Sequence, residues 1–386
     1  MNDYAKLRSE LRGHGIVSAS CPGCGLFDVC GGIQPERALL NCFDLACCGT
    51  GKCDRVCPYK QADFMKRLEE VRGLRFDDLK PVSHTPIELP QYVPVVYHRY
   101  RRHDLFDYPM VALDTYRVIR LNQQKYQTVA SNPLDLRSTF GLAPGVRVIL
   151  RGTARDPFLE RYWQYSQRDE AARQLAALGI SLAIPPNFSH FLRVPRTDNL
   201  FNRKRQLICI EEMNGAGLMV APHLSAVTHG DWDFWFQYLR DNPSIQYVSK
   251  EFQTGNKNRT QGQLAINAIA SLQDALGRSL HPVIIGGTQF AELFATRFRT
   301  FTLIDAEPFA KTHHRRRFDL GAGKRPWRET WTLIDQGLDQ NFKANVADYA
   351  SSIERRCSIQ KSVSFRRQGD LFLGSTPTDP ALAHAV

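Results

Sequence analysis

From residue 92 onward, short apolar runs that end on a polar or glycine residue alternate with amphipathic segments. That rhythm is the signature of βαβ units, because parallel strands need long crossovers and a helix is the usual way to make one. The runs predict strands at 92–97, 110–114, 146–151, 181–185, 217–221, 245–252, 282–286 and 300–305, with helices such as 157–178, 230–241, 260–277 and 289–296 between them. Eight strands is the number that closes a TIM-like (β/α)8 barrel, which is the α/β fold expected here. An open doubly wound sheet is the alternative, although the glycine-rich phosphate loops of that class are missing.

The chain divides by composition into four parts. Residues 1–60 form a cysteine-rich head, and 61–90 contain a helix-like stretch (Phe64, Leu68, Val71, Leu74) followed by a linker marked by Pro81, Pro86 and Pro90. Residues 91–335 carry the barrel pattern, and 336–386 read as a C-terminal helix with a flexible tail after about residue 365. The 386 residues are 43% hydrophobic, enough for one large α/β domain plus an appendage. Fifty Lys and Arg against 39 Asp and Glu give a formal charge of +11, a bias toward polyanionic partners such as nucleic acid. No apolar run is long enough to span a bilayer, and the first residues lack the apolar centre of a secretory signal, so a cytoplasmic protein with no membrane association is expected.

Cytoplasmic thiols stay reduced, so the crowding of Cys21, Cys24, Cys30, Cys42, Cys47, Cys48, Cys53 and Cys57 into 37 residues points to a metal rather than to disulfides. Glycines at 23, 25, 31, 32, 49 and 51 let the backbone wrap tightly around an ion. Histidine is absent from the segment, which excludes a two-Cys, two-His finger and leaves zinc or an iron–sulfur cluster. Cys209 and Cys357 stand alone and read as core thiols.

Three strand ends carry candidate chemistry. Asp305 follows an apolar run, where a partly desolvated carboxylate could attack an anomeric carbon. Gly286-Gly287 leaves room for a flat heterocycle to approach the backbone, and the Gln253 amide offers one donor and one acceptor edge to a purine. The order Phe252-Gln253-Thr254-Gly255, Ile285-Gly286-Gly287, Ile304-Asp305-Ala306-Glu307-Pro308 resembles that of the tRNA-guanine transglycosylase superfamily.

The resemblance covers residues 90–335 at fold level and is specific only at those three segments. It implies a base-exchange glycosyltransferase in which Asp305 holds a covalent sugar intermediate while Gln253, Gly286 and Gly287 cradle a 7-deazaguanine-type base. Three departures accompany it. Asn187, in Pro185-Pro186-Asn187-Phe188, stands where the family has its second carboxylate; His223 stands in place of its base-reading Asp; and its C-terminal cysteine zinc site is missing. These departures imply a divergent paralogue acting on DNA rather than RNA, similar to DNA-modification enzymes or to transglycosylase-like proteins of phage-defence operons, with operon-encoded partner proteins. The rival reading is a non-catalytic barrel that binds a modified base, a nucleotide or a partner protein.

A basic run, Lys311, His313, His314, Arg315, Arg316 and Arg317, follows Asp305 and is expected to hold phosphates flanking a target nucleotide. A second basic group, Tyr97-His98-Arg99-Tyr100-Arg101-Arg102-His103, also follows a strand and would widen the same surface. Asp114 and Glu251 end strands as well, and read either as general acid–base groups or as salt-bridged rim residues.

Overall fold

In a computed structural model of the protein, the described residues are 69–372, apart from 84, 192–195, 324–325 and 332–336. The eight clustered cysteines, with the zinc or iron–sulfur expectation attached to them, lie outside the described residues.

Two parallel sheets organise the α/β body. One runs in the order β1 (Tyr92–Pro94), β9 (Thr302–Asp305), β8 (His281–Ile285), β7 (Tyr247–Glu251), and the other in the order β2 (Met110–Asp114), β5 (Arg147–Arg151), β6 (Leu182–Ile184). Isolated parallel bridges extend these ladders: Val95 to Ala112 beside β1 and β2, Ala183 to Val220 beside β6, and His223 to Ser249 beside β7. Two antiparallel hairpins, β3 (Ile119–Asn122) with β4 (Lys125–Thr128) and β10 (Arg316–Phe318) with β11 (Trp327–Glu329), stand apart from the sheets.

Alternation along each strand separates two cores, because successive side chains leave a strand on opposite faces. Val93, Met110, Ala112, Ile149, Ile184, Ala221, Tyr247, Val283, Ile285 and Ile304 form one cluster drawn from both sheets. Their strand neighbours, among them Val111, Leu113, Val148, Leu150, Ile284 and Leu303, belong to a larger core shared with the helices. Most of these strands are built on apolar runs because both faces are buried; β7 is the exception, with Ser249 and Lys250 buried among its residues.

The helices in chain order are α1 (Thr115–Val118), α2 (Pro133–Phe140), α3 (Asp156–Ser166), α4 (Ala171–Ala176), α5 (Arg196–Gly215), α6 (His229–Asp241), α7 (Arg259–Leu276), α8 (Ala291–Arg297), α9 (Glu307–His313) and α10 (Asp339–Phe372). Their ends follow from local chemistry. Thr228 and Asp231 form a reciprocal capping box on α6, and Asn258 caps two amides of α7, which stops at Gly277 in the left-handed region. Along α7, Gly262, Ala265, Ile266, Ile269, Ala270 and Leu272 return at helical spacing to one buried face.

Seven of the expected strands form within three residues of their predicted limits, and β2 coincides with them. The stretch 217–221 contributes the Val220 bridge alone, so the fifth strand is reduced to a point of contact. The predicted helix 157–178 is broken in two, and Glu170, at a φ of 51°, marks the break. The helical spacing of Phe64, Leu68, Val71 and Leu74 does not correspond to a helix through its second half: among the described residues only 69 and 70 are helical, after which Arg72 and Gly73 take positive φ and turns follow. Val71 and Leu74 are nonetheless buried, so their spacing reported a core contact rather than a continuing helix. The helical backbone of α10 continues to Phe372, past the position at which a tail was expected. No helix among the described residues is long and apolar enough to cross a membrane.

Candidate functional site

A cavity of about 820 Å³ opens at the C-terminal ends of the parallel strands. Its walls come from the same alternation that builds the inner core. Tyr97 continues the face of Val93 and Val95, Asp114 that of Met110 and Ala112, and Arg151 that of Ile149, and all three line the cavity. Glu251, two residues beyond Ser249 and four beyond Tyr247, does the same for β7.

Asp114 and Arg151 form the fixed base of the site. Arg151 Nε donates to Asp114 Oδ1 at 2.7 Å and its Nη2 to the Tyr97 hydroxyl at 3.2 Å. Burial alone would lower the Arg151 pKa, but Asp114 and then Tyr97 outweigh it and the guanidinium is held above its usual range. Arg117 lies 3.7 Å from the other Asp114 oxygen and 4.9 Å over the Tyr97 ring. Arg120 and Arg155 also line the cavity, are exposed, and form no ion pair with any described residue.

Aromatic and amide groups complete the walls. Tyr116 donates its hydroxyl to the Gly152 carbonyl at 2.7 Å, which leaves its ring beside the exposed Phe158 at 5.9 Å. Gly152 passes so close to β6 that a Cβ there would stand 2.3 Å from the Ile184 oxygen, and this approach draws the β5 and β6 ends together beneath the site. Asn187 accepts from the Ala154 amide at 3.3 Å, and Glu251 accepts from the Gln253 amide at 2.8 Å and the Thr254 hydroxyl at 3.1 Å.

The structure brings some of the sequence candidates together and separates others. Gln253 and Asn187 line the cavity, and Gly286 abuts the Gln253 side chain: a Cβ on Gly286 would lie 2.8 Å from Gln253 Cγ. The Gly286 amide is already engaged, however, donating to Ile304 O at 2.8 Å, and Gly287 packs against Phe252. His223 does not reach the cavity. It is 5% exposed, its Nδ1 sits 3.4 Å from Ser249 Oγ, and burial with the nearby Lys250 holds its pKa well below the usual histidine range.

Asp305 is likewise absent from the cavity wall. It leaves β9 on the face opposite Ile304, toward the helices, where its Oδ2 accepts from the Tyr349 hydroxyl at 3.1 Å and from Thr288 Oγ1 at 3.3 Å. Its Oδ1 accepts from the Glu307 amide at 2.9 Å, and burial raises its pKa above the ordinary carboxylate value against the effect of these hydrogen bonds. Alternation decides the outcome: within β9 Thr302 and Ile304 share one face, Ile304 and then Ala306 just beyond the strand pack in the inner cluster, and Asp305 leaves on the other face.

The basic run after Asp305 is spent mainly on folding. Lys311 lies 3.9 Å from Glu307, Arg317 pairs with Asp348 at 2.7 Å, and Arg316 and Arg317 are in β10. His313 stacks on Phe309 at 4.3 Å and meets the edge of His98, a cavity-lining residue, at 4.9 Å. His314 is exposed and Arg315 takes a positive φ of 53°. The two basic groups therefore touch through the His98–His313 pair, on one side of the mouth. Among the described residues no group of three or more His, Cys, Asp or Glu side chains is arranged to hold a metal.

The arginines at 117, 120, 151 and 155 are the residues that sequence reasoning missed. The available signal was the two-residue period that puts Asp114 and Arg151 on one face, together with the parallel pairing of those two residues. No protein-family model matches the chain, and no curated protein matches it.

Proposed function

We propose that the two sheets close through the bridges at Val95, Val220 and His223 into an eight-stranded (β/α)8 barrel whose mouth binds a nucleotide, free or within nucleic acid. In this reading the arginines hold phosphate, the Tyr116 and Phe158 rings carry the base, and the amides of Asn187 and Gln253 read its edge. One observation carries the reading: two arginines, Arg120 and Arg155, with no ion-pair partner among the described residues share a single strand-end cavity with the exposed Phe158 ring. The eight N-terminal cysteines are assigned to zinc or an iron–sulfur cluster on their spacing alone.

Base exchange through Asp305 is the second reading, with a 7-deazaguanine-type base and DNA as reactants. It rests on the order of the Gln253, Gly286-Gly287 and Asp305 segments. Against it stands the Tyr349–Asp305 contact, since the carboxylate would have to leave Tyr349 and Thr288 and turn to the opposite face of its strand before meeting a sugar. The protein is therefore better described as a transglycosylase-like barrel that recognises a nucleotide than as one that exchanges its base.

Calorimetric titration with a deoxyguanosine monophosphate and with single-stranded DNA tests the first reading, and binding to neither would end it. Incubation of the protein and a guanine-containing duplex with labelled 7-deazaguanine tests the second. Label in DNA from the wild-type protein, lost in Asp305→Ala, would restore the exchange reaction.

A further inference from the structure

We infer that the cavity selects a terminal phosphate, a phosphomonoester dianion, over the singly charged diester inside a nucleic-acid strand. The inference rests on the nucleotide-binding reading and deepens it. Four arginines line the cavity against two carboxylates, Asp114 and Glu251, so the walls carry an excess of two positive charges. An internal diester supplies one negative charge, whereas a terminal phosphate carries close to two above its second pKa of about 6.

The four arginines are not equivalent. Arg151 is 5% exposed and committed to Asp114 and Tyr97, which makes it part of the wall. Arg117 is shared between Asp114 and the Tyr97 ring. Arg120 and Arg155 are the pair left for a ligand, one projecting from β3 and the other from the end of the β5 loop.

Arg155 is also held for the task. Asn187 bonds the amide of Ala154, the residue before it, and Arg155 is itself the N-cap of the eleven-residue helix α3, with no side-chain hydrogen bond closing that end. In the first turn Pro157 has no N–H, the Phe158 amide donates to the Arg155 carbonyl at 3.0 Å, and the Asp156 carboxylate accepts from the Ser189 hydroxyl at 2.8 Å, so what α3 adds here is the positive end of its dipole beside a guanidinium with no ion-pair partner among the described residues. A phosphate between Arg120 and Arg155 would meet two guanidinium groups, with Phe158, three residues into the same helix segment, beside the attached base.

A terminal phosphate can come from a free nucleotide or from the 5′ end of a strand, and five probes separate these sources. The full-length protein is titrated at pH 7.5 with deoxyguanosine, its 5′-monophosphate, a dinucleoside monophosphate with free hydroxyl ends, and a short single strand with and without a 5′-phosphate. The monophosphate is expected to bind roughly tenfold or more tighter than the diester-linked dinucleoside, the worth of about one charge-assisted hydrogen bond. Arg120→Gln combined with Arg155→Gln should erase that difference, lowering affinity for the monophosphate at least tenfold more than affinity for the dinucleoside. A matching preference for the phosphorylated strand would add strand ends to the ligands, and its absence would restrict the site to free nucleotides. Equal affinity for monoester and diester would overturn the inference and leave the nucleotide reading standing; no binding by any probe would end both. Because Arg120 and Arg155 are exposed and form no ion pair with a described residue, the double variant should keep the wild-type circular dichroism spectrum and melting curve.

Discussion

Tyr349 in α10 places its hydroxyl 3.1 Å from Asp305 at the end of β9, and an equal 3.1 Å from Glu307 at the start of α9. One phenol thus joins the last helix to the strand end and to the helix that follows it. Burial and the adjacent carboxylates hold the Tyr349 pKa well above the usual tyrosine value, so the hydroxyl stays protonated and remains the donor.

Tyr349→Phe removes that donor and leaves the Asp305 carboxylate short of one partner. The expected loss is about 1–3 kcal/mol of stability, the cost of an unsatisfied buried acceptor, measured by urea unfolding. Because the Asp305 pKa is raised on folding, the native state binds more protons than the unfolded state above the ordinary carboxylate range. Stability should therefore fall as pH rises from that range through the raised value. Asp305→Asn should flatten this part of the pH profile while leaving nucleotide affinity unchanged; a loss of affinity would place Asp305 at the ligand after all.

Asp114→Asn strips the buried Arg151 of its counter-charge. A loss of about 3–5 kcal/mol is expected, since an uncompensated buried guanidinium is left behind. Adding Arg151→Met to Asp114→Asn should recover part of that loss in denaturant unfolding. Failure of the second change to help would show that the pair is not the stabilising unit at the floor of the cavity.

Lys250 is buried, donates to Leu224 O at 2.6 Å, and has its pKa lowered to about 8 by burial. Between about 8 and the ordinary value near 10.4, the unfolded state holds a proton that the native state has released, so stability rises with pH across this window. The slope should approach ~1.4 kcal/mol per pH unit in mid-window. Lys250→Met should abolish it, as read from melting temperatures between pH 7.5 and 10.5.

Gly286 has a φ of 71°, in the region that side chains with a Cβ disfavour. Gly286→Ala would place a Cβ against Gln253 and cost about 1–2 kcal/mol of backbone strain. Displacing Gln253 should weaken binding of a guanine nucleotide while leaving competition by inorganic phosphate intact. Competition assays with both ligands check that separation.

Elemental analysis of the purified protein should find zinc or iron in stoichiometric amount, and an absorption spectrum distinguishes a colourless zinc site from an iron–sulfur cluster. Cys24→Ser and Cys57→Ser should each lower the metal content. Wild-type protein purified without either metal, and with all eight thiols free to react with a thiol reagent, would remove the metal assignment.

Strand positions and the parallel α/β arrangement were legible because β2, β5, β8 and β9 are built on apolar runs separated by amphipathic segments of crossover length. Helix limits were legible where a cap marked them, as at Asn258 and Gly277. The hairpin β3–β4 was not, since Ile119–Asn122 and Lys125–Thr128 carry too few apolar residues to stand out, and it is this hairpin that delivers Arg120 to the cavity.

The period of the chain by itself determined that strands and helices alternate and that polar groups gather where the strands end. Which of those groups meet was decided by the tertiary structure. In β8 and β9 the residues on both faces are apolar, so the run Leu303-Ile304 conceals which side faces the helices. Only pairing with neighbouring strands assigns Ile304 to the inner cluster, and one residue of offset then sends Asp305 toward Tyr349 while Asp114, Arg151 and Glu251 face the cavity.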